Sequence, residues 1–177
     1  FTSGAWLGSA GQINYGSAKA AIVGFVRSVS RELVRYNVTA NAIAPGAATR
    51  MNDRSLAQAE AVKGGAPPPS TLAAGTDRDP FNVAPLITYL ASEAGANITG
   101  KVLLGTGWHY GLYSDPVQER HLWTDKPWNL DDLFSRFKET LGQGIEPIEG
   151  RTAESITAAG RESVAREITR AQARPSA

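Results

Sequence analysis

The chain contains no cysteine, so neither disulfide staples nor thiolate metal sites are open to it. Histidine occurs only at His109 and His121, too sparse for an imidazole metal centre, and both are expected on the surface or in ordinary structural roles. Lys and Arg number 18 against 17 Asp and Glu; the net charge of +1 gives no long-range pull toward nucleic acid or an anionic membrane. No apolar run approaches the ~20 residues of a membrane span, and the first residues lack the charged-then-apolar order of a signal peptide. A soluble, cytoplasmic protein is expected.

At 177 residues and 42% hydrophobic content, the chain can bury one core. Its densest signal is Tyr15-Gly-Ser-Ala-Lys19, with Ser3 before it and Asn41-Ala-Ile-Ala-Pro45-Gly46 after it. A Tyr and a Lys four residues apart on a helix project from one face, so their head groups can serve one site. A phenol titrates near pH ~10 and exchanges protons poorly at neutral pH unless a neighbouring ammonium favours the phenolate, which Lys19 can supply. Carbonyl reduction needs a proton at oxygen as hydride reaches carbon, and general acid catalysis of that kind contributes ~10²–10⁴ in rate. Tyr15 suits that role, and a hydroxyl such as Ser3 can donate a hydrogen bond to the same oxygen as charge develops. A Tyr-x-x-x-Lys pair alone is a weak signal; its position at the head of a long amphipathic stretch that runs into an apolar segment ending in Pro-Gly is a stronger one.

These motifs resemble the short-chain dehydrogenase/reductase family, which carries a Ser, a Tyr-x-x-x-Lys helix and a strand ending in Asn-x-x-x-Pro-Gly. Gly11-Gln-Ile-Asn-Tyr15, Ile43 to Met51, Val83-Ala-Pro-Leu86 and Gly105-Thr-Gly-Trp108 extend the likeness over roughly residues 1 to 140. In detail they resemble the (3R)-hydroxyacyl-CoA dehydrogenase region of type 2 multifunctional β-oxidation enzymes. The resemblance implies an NAD-dependent oxidoreductase, with NADP also possible, that interconverts a (3R)-3-hydroxyacyl-CoA and the 3-ketoacyl-CoA. Tyr15 would be the proton donor or acceptor, Lys19 would lower its pKa and bind the nicotinamide ribose, and Ser3 would orient the carbonyl. Pro45, Gly46, Ala48 and Thr49 would line the nicotinamide end of the cofactor. The family places its Ser thirteen residues before the Tyr, where this chain has Thr2; Ser3, twelve before, is preferred for its Ser-Gly-Ala context, and either offers a hydroxyl. A steroid or another ketone is the alternative substrate, and a non-catalytic fragment or partner subunit the alternative role. An acyl-CoA or other small carbonyl or alcohol substrate and a homodimer or tetramer of the complete protein are the implied partners, without nucleic acid or membrane.

The expected fold is α/β, the C-terminal half of a doubly wound, Rossmann-like parallel sheet without the N-terminal cofactor-binding half. The family's Gly-rich turn has no counterpart here: Gly4-Ala-Trp-Leu-Gly8-Ser-Ala-Gly11 superficially resembles one but follows no complete strand, and reads instead as the active-site loop. Lacking an initiator Met, the chain is expected to be part of a longer reading frame. Residues 1–115 form the Rossmann part, 116–150 an aromatic-rich extension and 151–177 a polar tail, helical or disordered.

Within this frame a helix is expected near Asn14 to Tyr36, with Ile22, Val23, Phe25, Val26, Val29 and Leu33 at helical spacing and apolar residues on both sides, one for the sheet and one for a partner. Val38 to Ala44 reads as a strand ended by Pro45-Gly46. Arg50 to Asp79, rich in Ala, Gly and Pro, reads as a mobile loop over the substrate or an ordinary connection. Asp79-Pro80 opens a helix with an internal Pro85, and Lys101 to Leu104 is the last strand. Trp108, Tyr110, Tyr113, Trp123 and Trp128 lie in an aromatic tail without the interleaved basic cluster that nucleic acid would need. Asn129 caps a short helix bearing Leu130, Leu133, Phe134, Phe137 and Leu141, stopped by Gly142; Asp131 and Asp132 suit its positive end rather than acid–base catalysis.

Overall fold

The computed structural model describes residues 1–54 and 56–145. They fall in two compact units, 1–114 and 115–145. The reading of 151–177 as a polar tail lies outside the described residues.

The first unit is built on a three-stranded sheet in which β1 (Ala42–Gly46) runs parallel to β2 (Val102–Thr106), and β3 (His109–Leu112) pairs antiparallel with β2. Alternation along the strands divides the core between two faces. Ala42 and Val102 are buried with Val23 and Val26 of α1 (Ile13–Leu33) on one face. On the other, Ile43 is buried with Val83 and with Leu86 of α3 (Ala84–Leu90). Each fully buried aliphatic side chain of this size contributes about 1.5–3 kcal/mol. Both faces of the parallel pair are thus covered, which is why Ala42-Ile43-Ala44 reads as a continuous apolar run rather than an alternating one.

The expected helix from Asn14 to Tyr36 is α1 followed by a 3-10 turn at Val34–Tyr36. Asn37, at φ 58, ends it in the left-handed conformation that Asn tolerates better than most residues. The strand expectation is corrected at both ends. Val38 still donates its amide to Leu33, so pairing begins only at Ala42. Pro45 and Gly46 do not end the strand but belong to it, opposite Gly105 and Thr106. The Ala42 amide donates to Lys101, toward β2, so by alternation the missing N–H of Pro45 falls on the far edge and costs no ladder bond.

The last strand is shifted from the expected Lys101–Leu104 and continues into a hairpin that the aromatic-tail reading missed. Thr106 faces His109 across a two-residue loop, and Gly107, at φ 56, supplies the positive φ that a type II′ turn needs at its first position.

Arg50 to Asp79 is also more structured than expected. It holds 3-10 turns at Asn52–Arg54 and Pro69–Leu72 around α2 (Leu56–Lys63). The Asp53 carboxylate ties the two turns by accepting from the amide (3.0 Å) and the hydroxyl (2.5 Å) of Ser70. Such Asp–Ser pairings depend on tertiary proximity and leave no periodic trace in sequence. Asp79 opens a 3-10 turn at Pro80–Val83, and Pro85 lies in the first turn of α3, where its missing N–H leaves no helical bond unmade.

In the second unit, α4 (Leu130–Glu139) begins where expected, the Asn129 side chain accepting from the Asp131 amide at 2.8 Å. Asp131 and Asp132 occupy its first turn and Arg136 and Lys138 its last, in agreement with the helix dipole.

Candidate active site

Ser3 lies in an extended conformation at the head of a 3-10 turn, Gly4–Leu7, and its Oγ accepts from the Ala5 amide at 3.3 Å. Its own hydroxyl proton is thereby left to donate. The turn packs closely on the first turn of α1: a Cβ on Gly16 would stand 3.1 Å from the Ala5 carbonyl oxygen. A side chain at position 16 would push the Ser3 turn away from its neighbour Tyr15.

The helix fixes the second pair. Lys19 Nζ stands 5.4 Å from the centroid of the Tyr15 ring and donates to the Phe1 carbonyl at 3.4 Å. Tyr15 is 43% exposed, so the phenol is open to a reactant. An ammonium has three donors; with one on Phe1, two remain for vicinal hydroxyls, which suits the ribose that the family resemblance assigns to it. The structure thus brings Ser3, Tyr15 and Lys19 into one neighbourhood.

Thr2 is the residue whose part the sequence concealed. It is 2% exposed; its Oγ1 donates to the Lys19 carbonyl at 2.7 Å and its amide to the Ile43 carbonyl at 2.8 Å. By the parity that aims Ala42 at β2, the Ile43 carbonyl points to the opposite edge. Thr2 therefore ties the Tyr–Lys helix to the outer edge of β1, with its hydroxyl committed to that bond. Asn41 has a structural part of its own: its Nδ2 donates to Ile98 at 2.7 Å and its Oδ1 accepts from Lys101 at 3.1 Å, joining the starts of β1 and β2.

The remaining candidates sit at the carboxyl end of β1, where open α/β sheets bind ligands. Pro45 is exposed. Gly46 has no room for a side chain, because a Cβ would meet the Thr106 hydroxyl oxygen at 2.5 Å. Ala48 is buried and donates its amide to Arg78 at 2.9 Å. The Thr49 hydroxyl donates to Asn52 Oδ1 at 2.8 Å, and the Thr49 amide reaches the same oxygen at 3.2 Å. The 48 and 49 amides are thus engaged within the chain, while Pro45 and Tyr15 are exposed. The Gly4–Gly11 stretch, with Gly8 at φ 110 and Gly11 at φ 75, is the turn that carries Ser3 to α1. Among the described residues, no group of three His, Cys, Asp or Glu is placed to hold a metal ion, and no helix is long and apolar enough to cross a membrane.

The parallel strand pair, with packed helical elements on both faces, defines an α/β protein. The family profile described as enoyl-(acyl carrier protein) reductase matches residues 2–107, and the chain belongs to the short-chain dehydrogenase/reductase family. Hydroxyacyl-CoA dehydrogenase ChsB1 of Mycobacterium tuberculosis is 34% identical over 151 residues, covering 85% of this chain and 45% of that protein. The 3-oxoacyl-[acyl-carrier-protein] reductase FabG of Vibrio harveyi is 36% identical over 107 residues, covering 60% of this chain and 41% of that protein. The crystal structure of a short chain dehydrogenase from Mycobacterium avium superposes with a TM-score of 0.62 at 29% identity, over 86% of this chain and 45% of that one. The chain thus spans somewhat under half the length of the relatives it matches.

Proposed function

We propose that this chain is the catalytic, C-terminal half of a nicotinamide-dependent short-chain dehydrogenase that interconverts a secondary alcohol and a ketone, with (3R)-3-hydroxyacyl-CoA and 3-ketoacyl-CoA as the substrate pair and NAD as the cofactor. The observation that carries it is the Lys19 ammonium 5.4 Å from the Tyr15 ring, on a helix packed against the turn that holds Ser3. The name of the dehydrogenase ChsB1, alike over 85% of this chain, supports the acyl-CoA substrate.

Tyr15 passes the proton to or from the substrate oxygen, with the Lys19 ammonium beside its ring. Ser3 donates to the same oxygen and holds the carbonyl in line. Lys19 also holds the ribose hydroxyls, while Pro45, Gly46, Ala48 and Thr49 form the wall against the nicotinamide ring. The nicotinamide, when bound, supplies or takes the hydride.

Reading the source nucleic acid upstream of the Phe1 codon is the first test. An in-frame strand, Gly-rich turn and helix would define the protein to assay; an immediate stop codon would favour a non-catalytic or partner-subunit role. In that longer protein, Tyr15→Phe is expected to lower turnover of a 3-hydroxyacyl-CoA with NAD by ~10²–10⁴. Unchanged turnover overturns the mechanism, and turnover of a ketosteroid but not an acyl-CoA reassigns the substrate alone. The 177 residues by themselves are expected to show no turnover.

A further inference from the structure

We propose that Asp79 is a positioning residue for the nicotinamide segment Gly46–Thr49: its carboxylate closes the turn that presents the Arg78 carbonyl to the Ala48 amide. This rests on the reading of Pro45–Thr49 as part of the cofactor site.

Beyond Gly46 the chain leaves the sheet, so strand pairing no longer fixes it. Ala48 is held instead by donating its amide to the Arg78 carbonyl at 2.9 Å. The acceptor is only as fixed as its own turn, and the Asp79 carboxylate helps to close that turn. Asp79 Oδ2 accepts from the Gly75 amide at 2.6 Å, and Oδ1 accepts from the Phe81 amide at 2.9 Å. The two bonds bracket Arg78 from four residues before Asp79 to two after it. Gly75, at φ 67, takes the backbone conformation that glycine adopts without strain. Inside the bracket, the Arg78 amide donates to Thr76 Oγ1 at 2.9 Å and the Asp79 amide to the Thr76 carbonyl at 3.2 Å.

The same turn also meets the end of β2. A Cβ on Gly107 would stand 2.7 Å from the Asp77 carbonyl oxygen, and the Tyr110 hydroxyl donates to the Asn82 carbonyl at 2.7 Å. Asn82 in turn donates its side-chain amide to the Thr76 carbonyl at 2.8 Å. The carboxyl ends of both parallel strands are therefore referenced to one small turn, at the edge where this fold class places ligands. An aspartate is specified because an ionised carboxylate offers two acceptor oxygens and no donor. A serine has one oxygen and an asparagine one acceptor oxygen, so either can serve Gly75 or Phe81 but not both with equal geometry.

The test is amide hydrogen exchange by NMR on the longer protein that carries this chain, as wild type, Asp79→Asn and Asp79→Ser, with and without NAD. In Asp79→Asn, exchange at Gly75 and Ala48 is expected to rise together by about tenfold. Ala42, bonded to Lys101 within the sheet region, is expected to keep its protection. The NAD-induced shift changes at Gly46–Thr49 are expected to weaken in the variant. If Asp79→Ser fails to fold, the asparagine variant carries the comparison. Faster exchange at Gly75 with Ala48 unchanged overturns the proposal, even where NAD perturbs the segment. Coupled exchange with no NAD-induced change in the wild type overturns the cofactor reading and reduces Asp79 to a structural tie.

Discussion

Helix α1 lays Val23 and Val26 on β1 and β2, where they are buried with Ala42 and Val102; helix α4 has no buried residue and leaves Leu130 69% and Phe134 75% exposed. The apolar spacing is helical in both. What differs is the means of support. Helix α1 has no side-chain cap and no acidic residue in its first turn, and depends on packing against the sheet and the Ser3 turn. Helix α4 has the local devices that α1 lacks: the Asn129 cap, acids at its start, bases at its end, and Arg136 over the Trp128 ring at 5.3 Å. Arg120 adds donors to the carbonyls of Thr140, Leu141 and Gln143 just beyond its C-terminus. A helix can be specified by local chemistry or by the surface it covers, and the candidate active site sits on the second kind.

The largest effect should come from removing surface covered on the sheet, here on the face opposite α1. Leu86→Ala, which strips the side chain packed with Ile43 and Val83, is expected to cost about 2–5 kcal/mol in urea unfolding. Phe134→Ala on the exposed face of α4 is expected to stay within about 0.5 kcal/mol. Equal losses would erase the distinction between the two units.

Next in size is the tie that seats α1. Thr2→Val removes the buried hydroxyl that donates to Lys19 and leaves shape intact, so a loss of about 1–3 kcal/mol in stability is expected. Ser3→Ala should cost less in stability, since its bond to Ala5 is long at 3.3 Å, and more in turnover of the longer protein. The reverse pattern would give the catalytic hydroxyl to Thr2.

The same contrast explains what could be read in advance. Features set by nearby residues were legible: the Tyr15–Lys19 face, the Asn129 cap, the Asp79-Pro80 start and the apolar strand core. Features set by distant partners were not. Pro45 continues a strand because its nitrogen lies on the edge away from β2, which depends on where β2 runs. Strand β3 exists because β2 offers it an edge and Gly107 permits the turn. The turns within Arg50–Asp79 depend on the meeting of Asp53 and Ser70, seventeen residues apart. In the candidate site, Ser3, Tyr15 and Lys19 fell within one local stretch, whereas the structural part of Thr2 required the position of Ile43.

A smaller effect is expected where local support alone is removed. Asn129→Ala takes away the acceptor for the Asp131 amide and should weaken α4 by about 1 kcal/mol, seen as faster amide exchange in its first turn. Val23 and Val26 exchange should be unaffected. Loss of protection in both helices together would mean that α4 is not locally specified.

The smallest effect separates the units by pH. Amide hydrogen bonds from Gly75, and secondarily from Phe81, hold the Asp79 carboxyl below its ordinary value of 3.8, because they favour the charged form. A carboxylate whose folded pKa is lowered takes up protons more readily when unfolded, so its contribution to stability is complete above about 3.8 and is lost as pH falls through the lower folded value. Acid titration below that point should therefore loosen the 75–82 turn, with Ala48 exchange rising in step, and Asp79→Asn should remove this step while leaving the rest of the acid profile in place. Exchange in the first turn of α4 should not follow the same step, since that turn is capped by the neutral Asn129. An acid step in Ala48 exchange that survives Asp79→Asn would assign it to another carboxylate and detach Asp79 from the segment it is proposed to hold.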